Sequence, residues 1–336
     1  MNKEKMWAIL VHLGNWGGGG SQEMNYDSLL FDDDSWNYIV DEVAAAGLNT
    51  LIIDICGGID FASHPEITVK GAWTRKRLRD EIAKCREKGL TLIPKLNFAT
   101  VHSKWLKKYS RMISTPEYYQ VCNDLIKEVY EMFDHPEYIN IAMDEEDAKH
   151  VKRDELAVFR QGELYWHDVR FLIDCVKDTG ATAWMWSCPL FDHPEEYKAH
   201  IGADEAILSP WYYNAFREEH YTPVASKQLY IDYYKQPEYK GMDIKYIEDD
   251  PFLVRFREIA VPLLKAEGYK YAPAGSVCNR CDYNIIEMVE YFKERASEEQ
   301  IPGYVMTVWK PTIPKYKSEV DKAIKLMKEA KEKFYK

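Results

Sequence analysis

The spacing of apolar residues along this chain switches repeatedly between two periods. Short runs rich in Ile, Val, Leu and Trp give way to longer stretches with apolar residues at helical spacing, eight times over. The strand-like runs are WAILVHL (7–13), TLIIDIC (50–56), LTLIPKLNF (90–98), YINIAMDE (138–145), TAWMWS (182–187), EAILSPWYY (205–213), YKYAPAGSV (269–277) and GYVMTVWK (303–310). Helical spacing fills 34–47, 74–89, 115–133 and 162–180. Gly47, Gly89, Gly180 and Gly268 stand shortly before the next strand, where a left-handed residue commonly ends a helix. Strands alternating with helices pair in parallel. Eight such units predict an α/β fold, a single (β/α)8 TIM barrel over residues 1–336, with no linker or low-complexity tract.

Composition narrows the partners. Hydrophobic residues at 46% and charged ones at 29% suit a soluble core. A net charge of −11 opposes binding to a nucleic-acid backbone or an anionic membrane, since both would repel it. No apolar run approaches the ~20 residues needed to cross a bilayer. The start, MNKEKMWAILVHLG, has a charged head and a short apolar run but no small-residue cleavage site. Read as complete, the chain is expected in the cytoplasm; read as one whose export signal was trimmed, outside it. Seven scattered cysteines make no disulfide framework, and the CxxC of Cys278 and Cys281 has no second pair to complete a zinc site. No metal or other cofactor is therefore expected. The basic run KAIKLMKEAKEKFYK has helical spacing and reads as the solvated face of a last helix.

Two loops exceed what a connection needs: 15–33, with four consecutive glycines, and 214–250, rich in Tyr and Lys. Both follow strands, so both are expected on the catalytic face of a barrel. The glycine run lacks the Lys-Ser/Thr of a phosphate-binding loop and reads as a lid or a plain loop.

Barrel chemistry sits at the C-terminal ends of the strands. Here those ends carry His12, Asp54, Lys95 and Asn97, then Asp144, Glu145 and Glu146. Strands five, six and eight bring Trp184, Trp186, Trp211, Tyr212, Tyr213, Trp309 and Lys310. Singly, each has a structural explanation: a strand-end Asp caps a helix, a lone His is hydrogen-bonded, a Trp is core. Together they describe a pocket with flat apolar walls on one side and polar groups on the other, which suits a sugar better than a phosphorylated ligand. In the fourth strand, alternation places Ile139, Ile141 and Met143 toward the helices and Asn140, Ala142 and Asp144 toward the axis. Adjacent carboxylates in one cleft repel, so at least one pKa rises and the two can divide acid and base work. Glycoside cleavage needs that division. The acidic cluster could also hold a divalent ion, although no paired histidines stand at strand ends.

Four segments resemble glycoside hydrolase family 20, the β-N-acetylhexosaminidases. LIIDICGGIDFASHPEI is similar to that family's second strand and loop, GLTLIPKLNFATVH to its third strand, INIAMDEE to its Asp-Glu strand, and GYVMTVWK to its last. The resemblance implies substrate-assisted retaining hydrolysis, with Glu145 as general acid/base and Asp144 orienting the substrate's own 2-acetamido group. It further implies an acetamido pocket walled by Trp186, Trp211 and Trp309, a hydrogen bond from Tyr213, and roles for His102 and Asp54 beside the sugar.

Several positions depart from the family. Its strand-one arginine has no counterpart, Ala142 and Met143 replace the glycines before Asp-Glu, Lys95 stands for a glutamate, and Lys310 follows the last tryptophan where an acidic residue is expected. The small α/β domain that precedes the family's barrel is not in this sequence, whose first strand begins near residue 6. The expected activity is a glycosidase acting on a β-linked N-acetylhexosamine. Two alternatives stay open. One is a glycosidase using two enzyme carboxylates, with Lys95 and Lys310 favouring an acidic sugar; the other is a carbohydrate-binding barrel without catalysis.

Overall fold

A computed structural model describes residues 4–14, 27–146, 158, 160–187, 193–213, 215–217, 220, 261–277, 281 and 283–335. The glycine run, most of the 214–250 loop and Cys278 lie outside these residues.

Among the described residues, nine parallel strands form one sheet: β1 (Met6–His12), β2 (Thr50–Asp54), β3 (Thr91–Lys95), β4 (Tyr138–Ala142), β5 (Thr182–Trp186), β6 (Ala206–Ser209), β7 (Lys270–Tyr271), β8 (Ala274–Ser276) and β9 (Gly303–Thr307). Their order runs β7-β6-β5-β4-β3-β2-β1-β9-β8. The strands β7 and β8 are two halves of the seventh sequence-predicted run, parted at Ala272 and Pro273. One half pairs with β6 and the other with β9. Hydrogen bonds bridge the break: Ala272 N–H donates to Leu208 O at 2.7 Å, and Val305 N–H donates to Pro273 O at 3.0 Å. The sheet thereby closes into the (β/α)8 TIM barrel that the periodicity predicts.

Eight helices follow the barrel strands among the described residues: α1 (Asp33–Ala45), α2 (Arg75–Glu87), α3 (Pro116–Met132), α4 (Glu163–Thr179), α5 (Pro194–His200), α6 (Val261–Ala266), α7 (Asn284–Arg295) and α8 (Lys317–Phe334). None is long and apolar enough to cross a membrane. Local chemistry starts the first three. Asp32, Thr74 and Thr115 accept backbone N–H bonds at the N-termini of α1, α2 and α3. Gly47, Gly89, Gly180 and Gly268 all take positive φ just past helix ends, as their spacing predicts.

Two apolar layers result. The outer one lies between sheet and helices and holds Ile139, Ile141 and Met143. The inner one fills the barrel with Ala8, Leu10, Ile52, Ile93, Ala142, Trp184, Trp186, Ile207 and Val305. The alternation expected in β4 is thus the one observed. Register then sets the floor of the mouth: His12 pairs with Asp54, Asp54 with Lys95, and Lys95 with Asn140 across four neighbouring strands. Gly14 is required just above this level, since a Cβ there would meet Ile55 O at 2.3 Å.

Candidate active site at the barrel mouth

The end of β4 carries the acidic run, and its backbone is unusual. Asn140 turns its Oδ1 onto the N–H of Ala142 at 2.9 Å, and the pairing with β5 shifts register at this point. Ala142, Met143 and Glu145 then adopt φ of 61°, 62° and 57°, a region that L residues seldom occupy. Ala142 and Met143 are the positions where the resembled family has glycine, and the conformation explains why glycine suits them.

This twist aims three consecutive carboxylates in different directions. Asp144 is buried, and burial pushes its pKa up while His102 opposes the shift. Glu145 is more open, its side chain 26% exposed. His102, from the 3₁₀ segment Thr100–Arg111 after β3, sits against both. Its Nε2 is 3.6 Å from Glu145 Oε2 and 3.8 Å from Asp144 Oδ2. Burial pulls the His102 pKa down most strongly, but Glu145 and Asp144 outweigh it and the net shift is upward.

Glu146 faces elsewhere. Sequence reasoning grouped it with the substrate-binding residues; the fold gives both of its oxygens to structure. Arg160 donates from Nε to Oε2 at 2.8 Å and from Nη2 to Oε1, and Thr100 N–H donates to Oε1 at 2.9 Å. Arg160 is itself fully enclosed. It also donates to Asp168 Oδ2 at 3.0 Å and to Phe98 O at 3.1 Å. Nothing in the helical or strand periodicity marked Arg160.

The floor is a buried ion pair. Lys95 Nζ donates to Asp54 Oδ2 with both side chains fully buried, Cys56 Sγ donates to Asp54 Oδ1 at 3.1 Å, and His12 Nδ1 lies 3.5 Å from Asp54 Oδ2. Burial acts most strongly on Asp54 and would raise its pKa, yet Lys95 and His12 together hold it well below the usual carboxylate range. Burial lowers the His12 pKa and raises that of the Cys56 thiol. Lys95 is therefore a neutralised structural cation, and exposed Lys310 sits over the Tyr316 ring at 5.4 Å. The pairing of Lys95 removes one of the two observations that favoured an acidic sugar.

The aromatic wall is present. Trp186 and Trp309 have ring centroids 5.7 Å apart, and Trp309 continues to His12 at 5.6 Å. Trp211 and Tyr213 stack at 4.8 Å beyond the end of β6. Trp184, one turn of the pleat deeper, donates to Ser209 Oγ at 2.7 Å and belongs to the packed interior. Asn97, just past the end of β3, is buried, and its backbone carbonyl accepts from Trp105 Nε1 at 2.6 Å. Among the described residues, Asn97 Oδ1, Asp144 Oδ1 and Trp186 Nε1 are buried polar atoms with no hydrogen-bond partner. Buried atoms of this kind normally find partners. These two acceptors and one donor have hydrogen-bonding capacity left for a ligand.

No family model matches this chain, and no curated protein matches it either. Solved structures do share its fold. A family 20 exo-β-N-acetylglucosaminidase from Vibrio harveyi, in complex with N-acetylglucosamine, aligns with a TM-score of 0.56 at 12% identity, covering 96% of this chain and 54% of its own. Dispersin B aligns at 0.57 with 13% identity, covering 99% of this chain and 100% of its own. A catalytic module of the pneumococcal exo-β-D-N-acetylglucosaminidase reaches 0.58 at 12% identity, over 99% and 84%. This chain thus spans about half the Vibrio protein and the whole of Dispersin B. At these identities the likeness is one of fold: the barrel is built as in the glycoside hydrolase family 20 β-N-acetylhexosaminidases.

Proposed function

We infer that residues 1–336 act as one catalytic unit, a glycoside hydrolase that removes a β-linked N-acetylhexosamine with retention of configuration. The observation that carries this reading is the unequal pair at the end of β4: a buried Asp144 whose pKa burial raises, beside an open Glu145 in contact with His102. The shared fold supports it, because the same Asp-Glu pair at this strand is what the family resemblance rests on.

In this mechanism Glu145 is the general acid. It donates its proton to the glycosidic oxygen as the C1–O bond breaks, while the substrate's acetamido oxygen attacks C1 to give a cyclic oxazolinium. Asp144 Oδ1 accepts the acetamido N–H and steadies the positive charge that develops there. Glu145, now a carboxylate, takes a proton from water as it opens the ring, and C1 regains its starting configuration. The indoles of Trp186 and Trp309 pack on the sugar's C–H face and exclude water, with Trp211 and Tyr213 closing the far side. His102 holds Glu145 in place. His12, Asp54, Lys95 and Asn97 shape the floor, and of these Asn97 Oδ1 is the acceptor available to a sugar hydroxyl.

The test is hydrolysis of aryl β-N-acetylhexosaminides beside the matching hexosides without the acetamide, using wild type and Glu145→Gln. Cleavage of the acetamido sugars alone, reduced by about 10²–10⁴ in the variant, is expected. Cleavage of plain hexosides would overturn the acetamide's part. Calorimetric sugar binding with no turnover in wild type would make the barrel a binding module.

A further inference from the structure

The trio of His102, Asp144 and Glu145 has a second chemistry, independent of sugar. One ligand atom from each residue lies within 4.8 Å of the other two. The separations from His102 Nε2, 3.6 Å and 3.8 Å, are close to an edge of a zinc tetrahedron. That edge is about 3.3 Å for bonds of roughly 2.0–2.1 Å, and side-chain rotation of the two carboxylates brings the three atoms onto one ion. An unsatisfied acceptor points to the same place. Asp144 Oδ1 is buried and unpartnered among the described residues, and Asp144 is one of the three residues of this group. A cation there gives that carboxylate the partner it lacks.

The geometry points to a divalent transition-metal site formed by His102 Nε2, Asp144 and Glu145, with zinc as the fitting ion. An imidazole with two carboxylates and one open position suits zinc better than magnesium or calcium, which favour oxygen ligands alone. The consequence for catalysis rests on the function proposed above. A metal on Glu145 occupies the oxygen that must carry the proton, so the ion and turnover exclude each other. The ion is therefore an inhibitor competing with substrate, and its removal switches the enzyme on.

Zinc chloride titrated calorimetrically into chelator-treated, dialysed protein tests the site without any substrate. One ion per chain is expected at this site, and His102→Gln should lose that equivalent. Partners outside a metal's own ligand set are already worth about 10–100-fold in affinity, so loss of a direct ligand should weaken binding by at least that much. Cysteines bind zinc too; hence the reading is the difference between wild type and variant. Cobalt serves as a second probe, because thiolate ligation gives a strong near-ultraviolet band that this site should lack. His102→Asn, checked for a wild-type melting curve, covers the case in which the Gln variant misfolds.

Equal zinc uptake in wild type and both variants would overturn the site, as would no uptake at all. Uptake with competitive inhibition, reversed by chelator, supports the site and the glycosidase together. Uptake by a protein that hydrolyses no sugar keeps the site and fails the glycosidase. Uptake that accelerates hydrolysis keeps the site but overturns its inhibitory role and the assignment of Glu145 as the acid.

Discussion

Arg160 closes on Glu146 with two of its nitrogens and, from the other side, on Asp168. Asp168 also accepts from Ser114 Oγ at 2.6 Å and Tyr119 OH at 2.5 Å, and Tyr165 OH donates to Met143 O at 3.1 Å. The chain on either side of Asp144 and Glu145 is therefore bolted to α3 and α4. Arg160→Met should leave two buried carboxylates without their cation, at a cost of about 3–5 kcal/mol. A urea unfolding curve checks this, and a midpoint equal to that of wild type would refute it.

The floor predicts a pH dependence. Asp54 has a folded pKa well below its unfolded value of about 3.9. Its contribution is thus fully present above that unfolded value and is lost as pH falls through the folded one. Wild type should keep the pair's contribution down to about pH 4 and lose it in stronger acid. Lys95→Met strands Asp54 and should cost about 3–5 kcal/mol at pH 7, with Asp54→Asn in the same chain recovering most of it. Thermal melts across pH 3–8 on the single and double variants decide the matter; equal losses in both would sink the pairing argument.

Ala142 offers a test of backbone strain. A non-glycine residue in the left-handed region costs of order 1–3 kcal/mol, whereas one buried methyl is worth about 0.8 kcal/mol. Ala142→Gly should therefore hold or raise the melting temperature, against the usual rule for glycine in a strand. Ala142→Val should lower it sharply, since a branched side chain tolerates this φ least. A drop on Ala142→Gly would count against the twist.

Trp186 should separate stability from binding. Its buried, unpartnered N–H costs about 1–3 kcal/mol, so Trp186→Phe recovers much of what the smaller ring loses in packing. Stability should change by less than about 1 kcal/mol, while affinity for N-acetylglucosamine falls about tenfold, or roughly 1.4 kcal/mol. Calorimetry beside a denaturation curve reads both. A large stability loss with unchanged binding would place Trp186 in the core alone.

Periodicity made the barrel legible because burial on one or both faces dictates it strand by strand. The eight runs and the inward set Asn140, Ala142 and Asp144 all emerged from that pattern. The destinations of single charges did not. Glu146 reads like its neighbours Asp144 and Glu145, and it is Arg160, fourteen residues downstream, together with the Thr100 N–H, that turns it away. Lys95 resembles a ligand for an anion until register sets it beside Asp54. Contacts of this sort depend on which strand ends meet and leave no mark on local spacing.

The break at Ala272 and Pro273 gives the ring a seam. A closed hydrogen-bonded hoop has no free edge from which to unravel, but a proline offers no N–H to its neighbour. The hoop is thus one tie short between the seventh strand and β9, on the side facing away from β4 and its acidic run. Fluctuations that part the barrel begin at such a point rather than through the fully laddered β1–β2–β3 arc. The missing tie falls beside β8, the neighbour of the strand that leads to Trp309, whereas Asp54 sits in an arc where β1, β2 and β3 pair over five positions at each junction.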